Sequence, residues 1–326
     1  MTRIHDIAMM VGVSVATVSN ALNGKRNVGP AVRQKILRAA RDLGYRPNRA
    51  AQAMRTGQTQ TIGLMLPDLT NPYFPDLAQS VESTARKAGL LVFLIDVQGS
   101  SEVESGGFDL LAQHAVDGMI WCPFGRQSPP GLERFSAPIV LIDRPRAGFD
   151  VVHADYLMGG RLLAEYVLRM GHSSIGLLSG PQGLASARLR REGFVKAFPR
   201  DINICWEANV PFTGNLSKDA MNVLTNRKSA TLIVCGNDLI AISAMRFLGQ
   251  LGLNVPDDVS VTGFDNIKWS DVVTPRLTTI AQPVTAIGAK AVELLRERMM
   301  AAELQHRRIV FDVTLIERDS VRNLSL

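Results

Sequence analysis

The sequence predicts an α/β protein: a small all-α helix-turn-helix head, then a two-lobed body built on two doubly wound parallel sheets. Three observations predict it. Residues 1–60 read as three short helices with a concentrated positive charge. From Thr61 onward, short β-branched or aliphatic runs alternate with helical stretches, the pattern of parallel strands covered on both faces. The strand signals are too many for one small sheet, and a break near Asp155 to Gly160 divides them into two halves. A chain of 326 residues, 46% hydrophobic and 20% charged, has material for two or three packed units and is unlike a disordered or fibrous protein.

The longest purely apolar run, Leu90 to Ile95, is far short of the roughly 20 residues needed to cross a bilayer. The opening Met1-Thr2-Arg3-Ile4-His5-Asp6 meets an acid early, so no export signal is expected. Cys122, Cys205 and Cys235 are odd in number and far apart, which argues against disulfides and a zinc cluster. These features point to a soluble, cytoplasmic protein.

The net charge of +6 is unevenly placed. Residues 1–60 hold ten of the 36 Lys and Arg and two of the 30 Asp and Glu, a net +8, and the other 266 residues carry −2. A basic excess confined to a small unit suits a polyanion partner, because each base on a phosphate releases condensed counterions. Charge alone also fits a merely solvated basic face, so the motif inside the segment decides.

Ile4, Ile7, Ala8 and Val11 fall at helical spacing, and Gly12 breaks that helix. Ser14 suits the N-cap of a second helix, Val15 to Leu22, which ends at Asn23-Gly24. A third runs from about Pro30 to Leu43 and ends at Gly44. Two short helices joined by a tight turn and braced by a third form a helix-turn-helix. In the second helix Val18 and Leu22 can pack inward, leaving Val15, Ala16, Thr17, Ser19 and Asn20 at or near the exposed start. Small and amide side chains there suit base edges in a major groove. Residues 48–56 are Ala-rich with Arg49 and Arg55, a conditional helix too short to stand alone.

The run Ile4-x-Asp6-Ile7-Ala8-x-x-Val11-Gly12-Val13-Ser14-Val15-Ala16-Thr17-Val18-Ser19-Asn20-Ala21-Leu22-Asn23 closely resembles the DNA-binding head of the lactose/galactose repressor (LacI/GalR) family. The resemblance continues through Val28, Arg33, Leu43-Gly44-Tyr45, Pro47-Asn48 and Ala51 and then almost to the end of the chain. It implies that Val15, Ala16 and Asn20 read bases, with Asn23, Tyr45, Asn48 and Ala51 on the same DNA-binding surface. Asn20 stands where arginine is frequent, and an amide pairs with adenine rather than guanine. Lys25, Arg26, Arg33, Arg46, Arg49 and Arg55 are candidates for phosphate contacts. Residues 48–56 correspond to the hinge helix, which orders when two copies meet in the minor groove. Met54 replaces the family's usual leucine as the apolar wedge.

In the body, candidate strands are Ile62–Leu66, Leu91–Ile95, Gly118–Cys122, Ile139–Ile142, Val151–His153, Ile175–Leu178, Thr231–Cys235, Val259–Thr262 and Thr278–Ile280. Helical patterns include Phe74–Ala88, Leu157–Met170, Ala187–Ala197, Leu239–Leu251 and Val284–Met300. Ligands in such folds sit beyond the carboxyl ends of strands, and here also between the halves. Polar residues gather there: Asp68 and Asn71, Asp143 and Arg144, Ser186 and Arg190, Asn237, Asp265, and Gln282. Any one could simply cap a helix or turn, but capping does not readily explain so many. With Tyr73, Phe74 and Phe212 they suit a polyol, whose apolar faces stack on rings while planar polar groups hold its hydroxyls.

This half resembles the family's effector domain and the periplasmic sugar-binding proteins, the ribose-binding type in particular. By that resemblance Asn71, Tyr73, Phe74, Asp143, Arg144, Arg190, Phe212, Asn237, Asp265 and Gln282 match positions that hold ribose. Leu184 stands where purine-responsive relatives carry arginine, which favours a sugar over a nucleobase. The domains expected are 1–47 for the head, 48–58 for the hinge and 59–326 for the body. Lobe one is about 59–157 plus 286–317, and lobe two about 158–285 plus 318–326.

Two rivals are weighed. An enzyme would need a signature, and the chain has no Gly-x-Gly-x-x-Gly, Gly-x-x-x-x-Gly-Lys-Ser/Thr or Gly-x-Ser-x-Gly. Its five histidines lack metal-ligand spacing. His153 reads better as a structural histidine, and no metal or cofactor is expected. Asp143 and Asp265 could be an acid/base pair, but each has a neighbouring or converging arginine. A sugar-binding transport component would use the same cleft, but the basic head counts against it. The expectation is a non-enzymatic, homodimeric repressor that binds a pseudo-palindromic DNA operator and responds to a ribose-like pentose or related hexose. By the resemblance, helices Phe74–Ala88 and Val284–Met300 supply dimer contacts. No heptad-rich tail supports a tetramer.

Overall fold

The apolar spacing of the first residues folds as helix α1 (Ile4–Val11), which ends where Gly12 takes a left-handed conformation at φ 72°. Asp6 accepts the Arg3 N–H at 2.7 Å and so covers an orphan donor of the first turn. Ser14 Oγ accepts the Thr17 N–H at 3.1 Å and starts α2 (Val15–Leu22). The axes of α1 and α2 turn by 106°. Helix α3 (Pro30–Asp42) begins on its proline. The three close over Ile7, Val18, Ala21 and Ile36, all essentially without exposure. The computed structural model describes residues 3–22, 27–45, 53, 57–125, 127–198, 203–226, 230–301, 303 and 305–325. The chain divides into two units, Met1–Thr59 and Gln60–Leu326.

The body's first sheet has six parallel strands in the order β11-β5-β4-β3-β1-β2. They are β1 (Thr61–Leu66), β2 (Leu91–Asp96), β3 (Gly118–Trp121), β4 (Ile139–Ile142), β5 (Asp150–Ala154) and β11 (Arg308–Phe311). Helices α4 (Tyr73–Lys87), α5 (Ser101–Gln113) and α10 (Val284–Met300) pack on it. The second sheet has four parallel strands in the order β7-β6-β8-β9: β6 (Ser174–Ser179), β7 (Asn203–Asn209), β8 (Leu232–Cys235) and β9 (Ser260–Thr262). Helices α6 (Tyr156–Arg169), α7 (Ala185–Ala197), α8 (Lys218–Asn226) and α9 (Asp238–Gln250) belong to it. A ribbon of β10 (Thr279–Ala281) and antiparallel β12 (Thr314–Ile316) extends this half. The chain therefore passes between the lobes three times, before Tyr156, at Gln282-Pro283 and after Phe311. Residues 314–316, expected in lobe one, pair instead with β10 of lobe two.

Several elements escape the periodicity reading. Helix α5 carries Gly106 and Gly107, which weaken propensity, yet Phe108 and Leu111 are wholly buried beneath it and packing prevails. Strand β7 (Asn-Ile-Cys-Trp-Glu-Ala-Asn) is an edge strand, so its outward positions stay polar. Strand β11 is also an edge and alternates between exposed and half-buried residues. Among the described residues no single helix is long and apolar enough to cross a membrane.

Candidate functional sites

On the head, Val15 is 40% exposed, Ala16 is exposed, and Thr17, Ser19 and Asn20 are half-buried along one face of α2. Thr17 Oγ1 shares a hydrogen bond of 2.8 Å with Ser14 Oγ, so the cap also orients the second polar side chain of the face. Arg33 is half-buried near the start of α3, and Tyr45 lies against the head's core. Asn23, Lys25, Arg26, Arg46, Asn48, Arg49, Ala51, Met54 and Arg55 lie outside the described residues, as does the predicted hinge helix apart from Ala53.

In the body, four of the predicted residues form one polar chain across the lobes. Tyr73, buried at the start of α4, donates its hydroxyl to Gln282 Oε1 at 3.4 Å. Gln282 donates Nε2 to Asp265 Oδ1 at 2.7 Å. The same oxygen meets Arg190 Nη2 at 2.9 Å, and Arg190 Nη1 donates to the Gly236 carbonyl at 2.8 Å. Asn71 accepts the Tyr73 N–H, and Phe74 meets the Tyr73 ring edge-on at 5.3 Å. On the facing side Ser186 Oγ reaches Asp143 Oδ2 at 3.5 Å. Asp143 and Asp265 both hold positive φ (72° and 114°), a strain that non-glycine residues adopt only where surroundings impose it.

Two expected residues do other work. Asp68 turns its Oδ1 on Thr70, accepting the N–H at 2.8 Å and the hydroxyl at 2.7 Å, so it builds a turn. Arg144 lies 3.5 Å from Asp143 but donates Nη1 to the carbonyls of Pro123 and Phe124, bracing that loop. Asn237 caps α9 through Oδ1, which accepts the Ile240 N–H at 2.9 Å, while its Nδ2 is buried without a hydrogen-bond partner. Asp143 Oδ1 and Arg190 Nε are likewise buried and unpartnered. Orphaned buried polar atoms are costly, and all three belong to residues expected to bind the effector.

Aromatic rings wrap the central cation. The Arg190 guanidinium carbon lies 4.0 Å from the Phe264 ring centre, 5.0 Å from Tyr156 and 5.5 Å from Phe212. Tyr156 and Phe264 were missed in the sequence. Both sit at strand or helix boundaries, Tyr156 one residue after the Asp155 cap and Phe264 beside Asp265, and an aromatic at such a boundary is the signal that could have found them. His153 is buried with both ring nitrogens engaged, by the Ala154 carbonyl and Arg308 Nε, each at 2.8 Å.

Burial dominates the electrostatics. It pushes the Asp265 carboxyl up to about 6 against the opposing pull of Arg190 and Gln282. Behind it Asp238 is wholly buried and raised well above the carboxylate range, first by burial and then by Asp265, although Thr279 Oγ1 and the Ile267 N–H bind it. Burial opposes the charge of Arg190, but Asp265, Tyr156 and Asp143 outweigh it, and its pKa is raised.

A helix-turn-helix unit followed by a two-lobed body with a polar, aromatic-lined cleft defines a ligand-responsive DNA-binding protein. The model described as "Bacterial regulatory proteins, lacI family" matches residues 3–48, and "Periplasmic binding protein-like domain" matches residues 164–321. The HTH-type transcriptional repressor PurR of Histophilus somni (strain 129Pt) is 33% identical, covering 99% of this chain and 100% of its own. The ribose operon repressor of Escherichia coli (strain K12) is 32% identical, covering 98% and 100%. Among solved structures, the lac repressor dimer bound to operator and the anti-inducer ONPF superposes with a TM-score of 0.84 at 27% identity, covering 98% and 99%. A LacI family regulator from Enterococcus faecium with bound ribose superposes at 0.70 and 27% identity, covering 81% of this chain and 99% of its own. The chain belongs to the LacI family of transcriptional regulators.

Proposed function

We propose that this protein is a homodimeric repressor that binds a pseudo-palindromic operator, and that a ribose-like pentose or related hexose in the cleft controls its hold on DNA. The observation that carries the sugar reading is the buried Arg190–Asp265–Gln282 chain under three aromatic rings. Planar donors and acceptors fixed in that way suit paired hydroxyls. The ribose-bound relative and the ribose operon repressor support the same reading. Asn71, Tyr73, Phe74, Asp143, Ser186, Arg190, Phe212, Asn237, Asp265 and Gln282 hold the ligand, joined by Tyr156 and Phe264. Val15, Ala16, Thr17, Ser19 and Asn20 enter the major groove, and Arg33, Lys25 and Arg55 are among the phosphate contacts.

The domains are residues 1–47, 48–58 and 59–326. Closure of the two lobes on the sugar alters whether paired hinge segments grip the operator. The relatives are regulators rather than enzymes, and Asp143 and Asp265 are engaged with Ser186 and Arg190, which suits binding rather than proton transfer. The DNA-binding repressors among the relatives support a cytoplasmic location. Calorimetric titration of pentoses and hexoses tests the cleft: one should bind, and Arg190→Ala and Asp265→Ala should each abolish the heat while circular dichroism stays unchanged. Retained binding in both variants would refute the assignment.

A further inference from the structure

The chain enters lobe one through a short joint. Gly57 donates its N–H to the Ala53 carbonyl at 2.8 Å and takes φ 70°, so a helical turn closes there. Only Gln58, Thr59 and Gln60 separate that turn from Thr61, where β1 begins. A flexible tether of that length would let whatever precedes it reorient independently of the body. Here the body end of the joint is anchored.

Gln60 is held through both its N–H and its carbonyl. The N–H donates to Asp117 Oδ2 at 2.7 Å, and the carbonyl accepts the Leu91 N–H at 2.8 Å. The next carbonyl, of Thr61, accepts the Asp117 N–H at 2.8 Å. Leu91 opens β2, and Asp117 directly precedes Gly118, which opens β3. The starts of three neighbouring parallel strands are thus stitched together around one residue. Gln60 sits in the left-handed region at φ 54°, which a non-glycine residue adopts only where its surroundings impose it. Its own side chain is exposed, so core packing does not impose that conformation, and the Asp117 carboxylate is the group placed to do so.

Asp117 is itself fixed. The end of α5 turns back on itself, with Ala115 N–H on the Ala112 carbonyl and Val116 N–H on that of Leu111. Leu111 and Val116 are both buried in a core cluster of lobe one. From Gln60 onward β1 runs about 20 Å at the rise of a strand, buried between β2 and β3. It leads into the loop that carries Asn71 and Tyr73 of the cleft. Joint and cleft therefore lie at opposite ends of one stiff strand.

We infer that Asp117 is a positioning residue for regulation. By holding the Gln60 amide it fixes the direction in which the hinge segment meets lobe one, so that movement of this lobe on closure reaches the DNA-binding unit. The inference rests on the reading of the protein as an operator-binding repressor controlled by a sugar.

The test uses the full-length protein and a duplex that the wild type selects from randomised pseudo-palindromes, in gel shifts with and without ribose. Coupling between two sites is typically about 5- to 150-fold in affinity. In Asp117→Ala the sugar-free operator affinity should fall about threefold or more, and the ratio of affinities with and without ribose should shrink towards one. Asp117→Asn keeps an oxygen that accepts the same N–H and should retain most of both. Gln60→Pro removes the donor and forbids a positive φ. It should match Asp117→Ala, and the double variant should lose little more. Ribose affinity by calorimetry should stay at the wild-type value in all of them. Where ribose shifts the wild type, an unaltered ratio in Asp117→Ala would overturn the inference. Where ribose shifts nothing, the sugar reading fails separately, and wild-type sugar-free affinity in Asp117→Ala would overturn it. Parallel loss of operator affinity, ribose affinity and thermal stability would mark a structural residue only, and an Asp117→Asn as impaired as Asp117→Ala would remove the hydrogen bond as the cause. Either result would also sink it.

Discussion

Lys268 Nζ lies 2.8 Å from Asp76 Oδ1, joining the first turn of α4 in lobe one to the loop after Asp265 in lobe two. The contact bridges the two lobes at the rim of the cleft. Its lysine side chain is 74% exposed, so screening keeps the pair weak, and exposed pairs are worth about 0.2–1 kcal/mol.

Because that pair spans the two lobes, Lys268→Ala should favour the open form and weaken effector binding by up to about fivefold. The melting temperature should scarcely move. Raising the salt to 1 M should bring the wild type down to the variant's affinity. Equal affinity at low salt in both proteins would show that the contact plays no part in closure.

Asp265 gives the cleft a pH dependence. Its folded pKa of about 6 exceeds the ordinary carboxylate value, so the folded state binds more protons than the unfolded chain between roughly pH 4 and 6. Its ionisation therefore costs stability above pH 6, on the order of 3 kcal/mol, and that cost is relieved as pH falls through 6 towards 4. Ligand affinity should run the other way. Protonation removes the anion that holds Arg190 and accepts sugar hydroxyls, so affinity should drop as pH falls below about 6. Asp265→Asn should bind weakly at every pH and show a flatter stability profile over pH 4–6. A wild-type affinity constant from pH 7.5 to 5 would contradict the assignment of a deprotonated Asp265 to the bound state.

The head offers a separate test. Ser14 caps α2 and also bonds Thr17, so Ser14→Ala removes an N-cap worth about 1 kcal/mol and frees a side chain on the DNA-facing surface. Operator affinity should fall with a small loss of head stability, and the response to effector should be unchanged. Asn20→Ala should instead cost about 1–3 kcal/mol on the preferred operator and relax preference at one base pair, read by competition gel shifts against single-base variants. Uniform weakening across all those variants would place Asn20 on the backbone rather than on a base.

Much of this layout is legible in the sequence because its signals are local. Ser14, Gly12 and Pro30 announce helix ends through their own backbone chemistry, and the wholly buried strands β3, β4 and β8 read as continuous apolar runs. The polar ends of those strands likewise point to the cleft. What is not legible depends on neighbours distant in sequence. The edge strands β7 and β11 keep polar residues because one side lacks a partner strand, and α5 survives its glycines through buried Phe108 and Leu111. The different work of Asp68 and Arg144 follows from a nearby threonine and a loop carbonyl pair, whose positions only the folded chain fixes. Tyr156 reaches Arg190 because α6 starts where the chain passes between lobes, a relationship no spacing rule contains.

Gly180 ties the second lobe's β6 strand end to the aromatic wall. A β-carbon placed there would lie 2.2 Å from the Phe212 ring and 3.0 Å from the Ala187 methyl, so the absence of a side chain is what lets Phe212 approach Arg190. Phe212 is only half-buried, and its ring can swing outward to relieve the clash. Gly180→Ala should therefore fold, with a modest loss of stability of about 1–3 kcal/mol from overpacking. It should displace the ring and weaken sugar binding, while operator affinity without effector stays near the wild-type value. Phe212→Ala should reproduce the loss of sugar affinity, and combining the two changes should add little, because both remove the same ring from the same face. Full additivity in that double-variant cycle would mean that Gly180 acts on the cleft by another route, through Ala187 and α7.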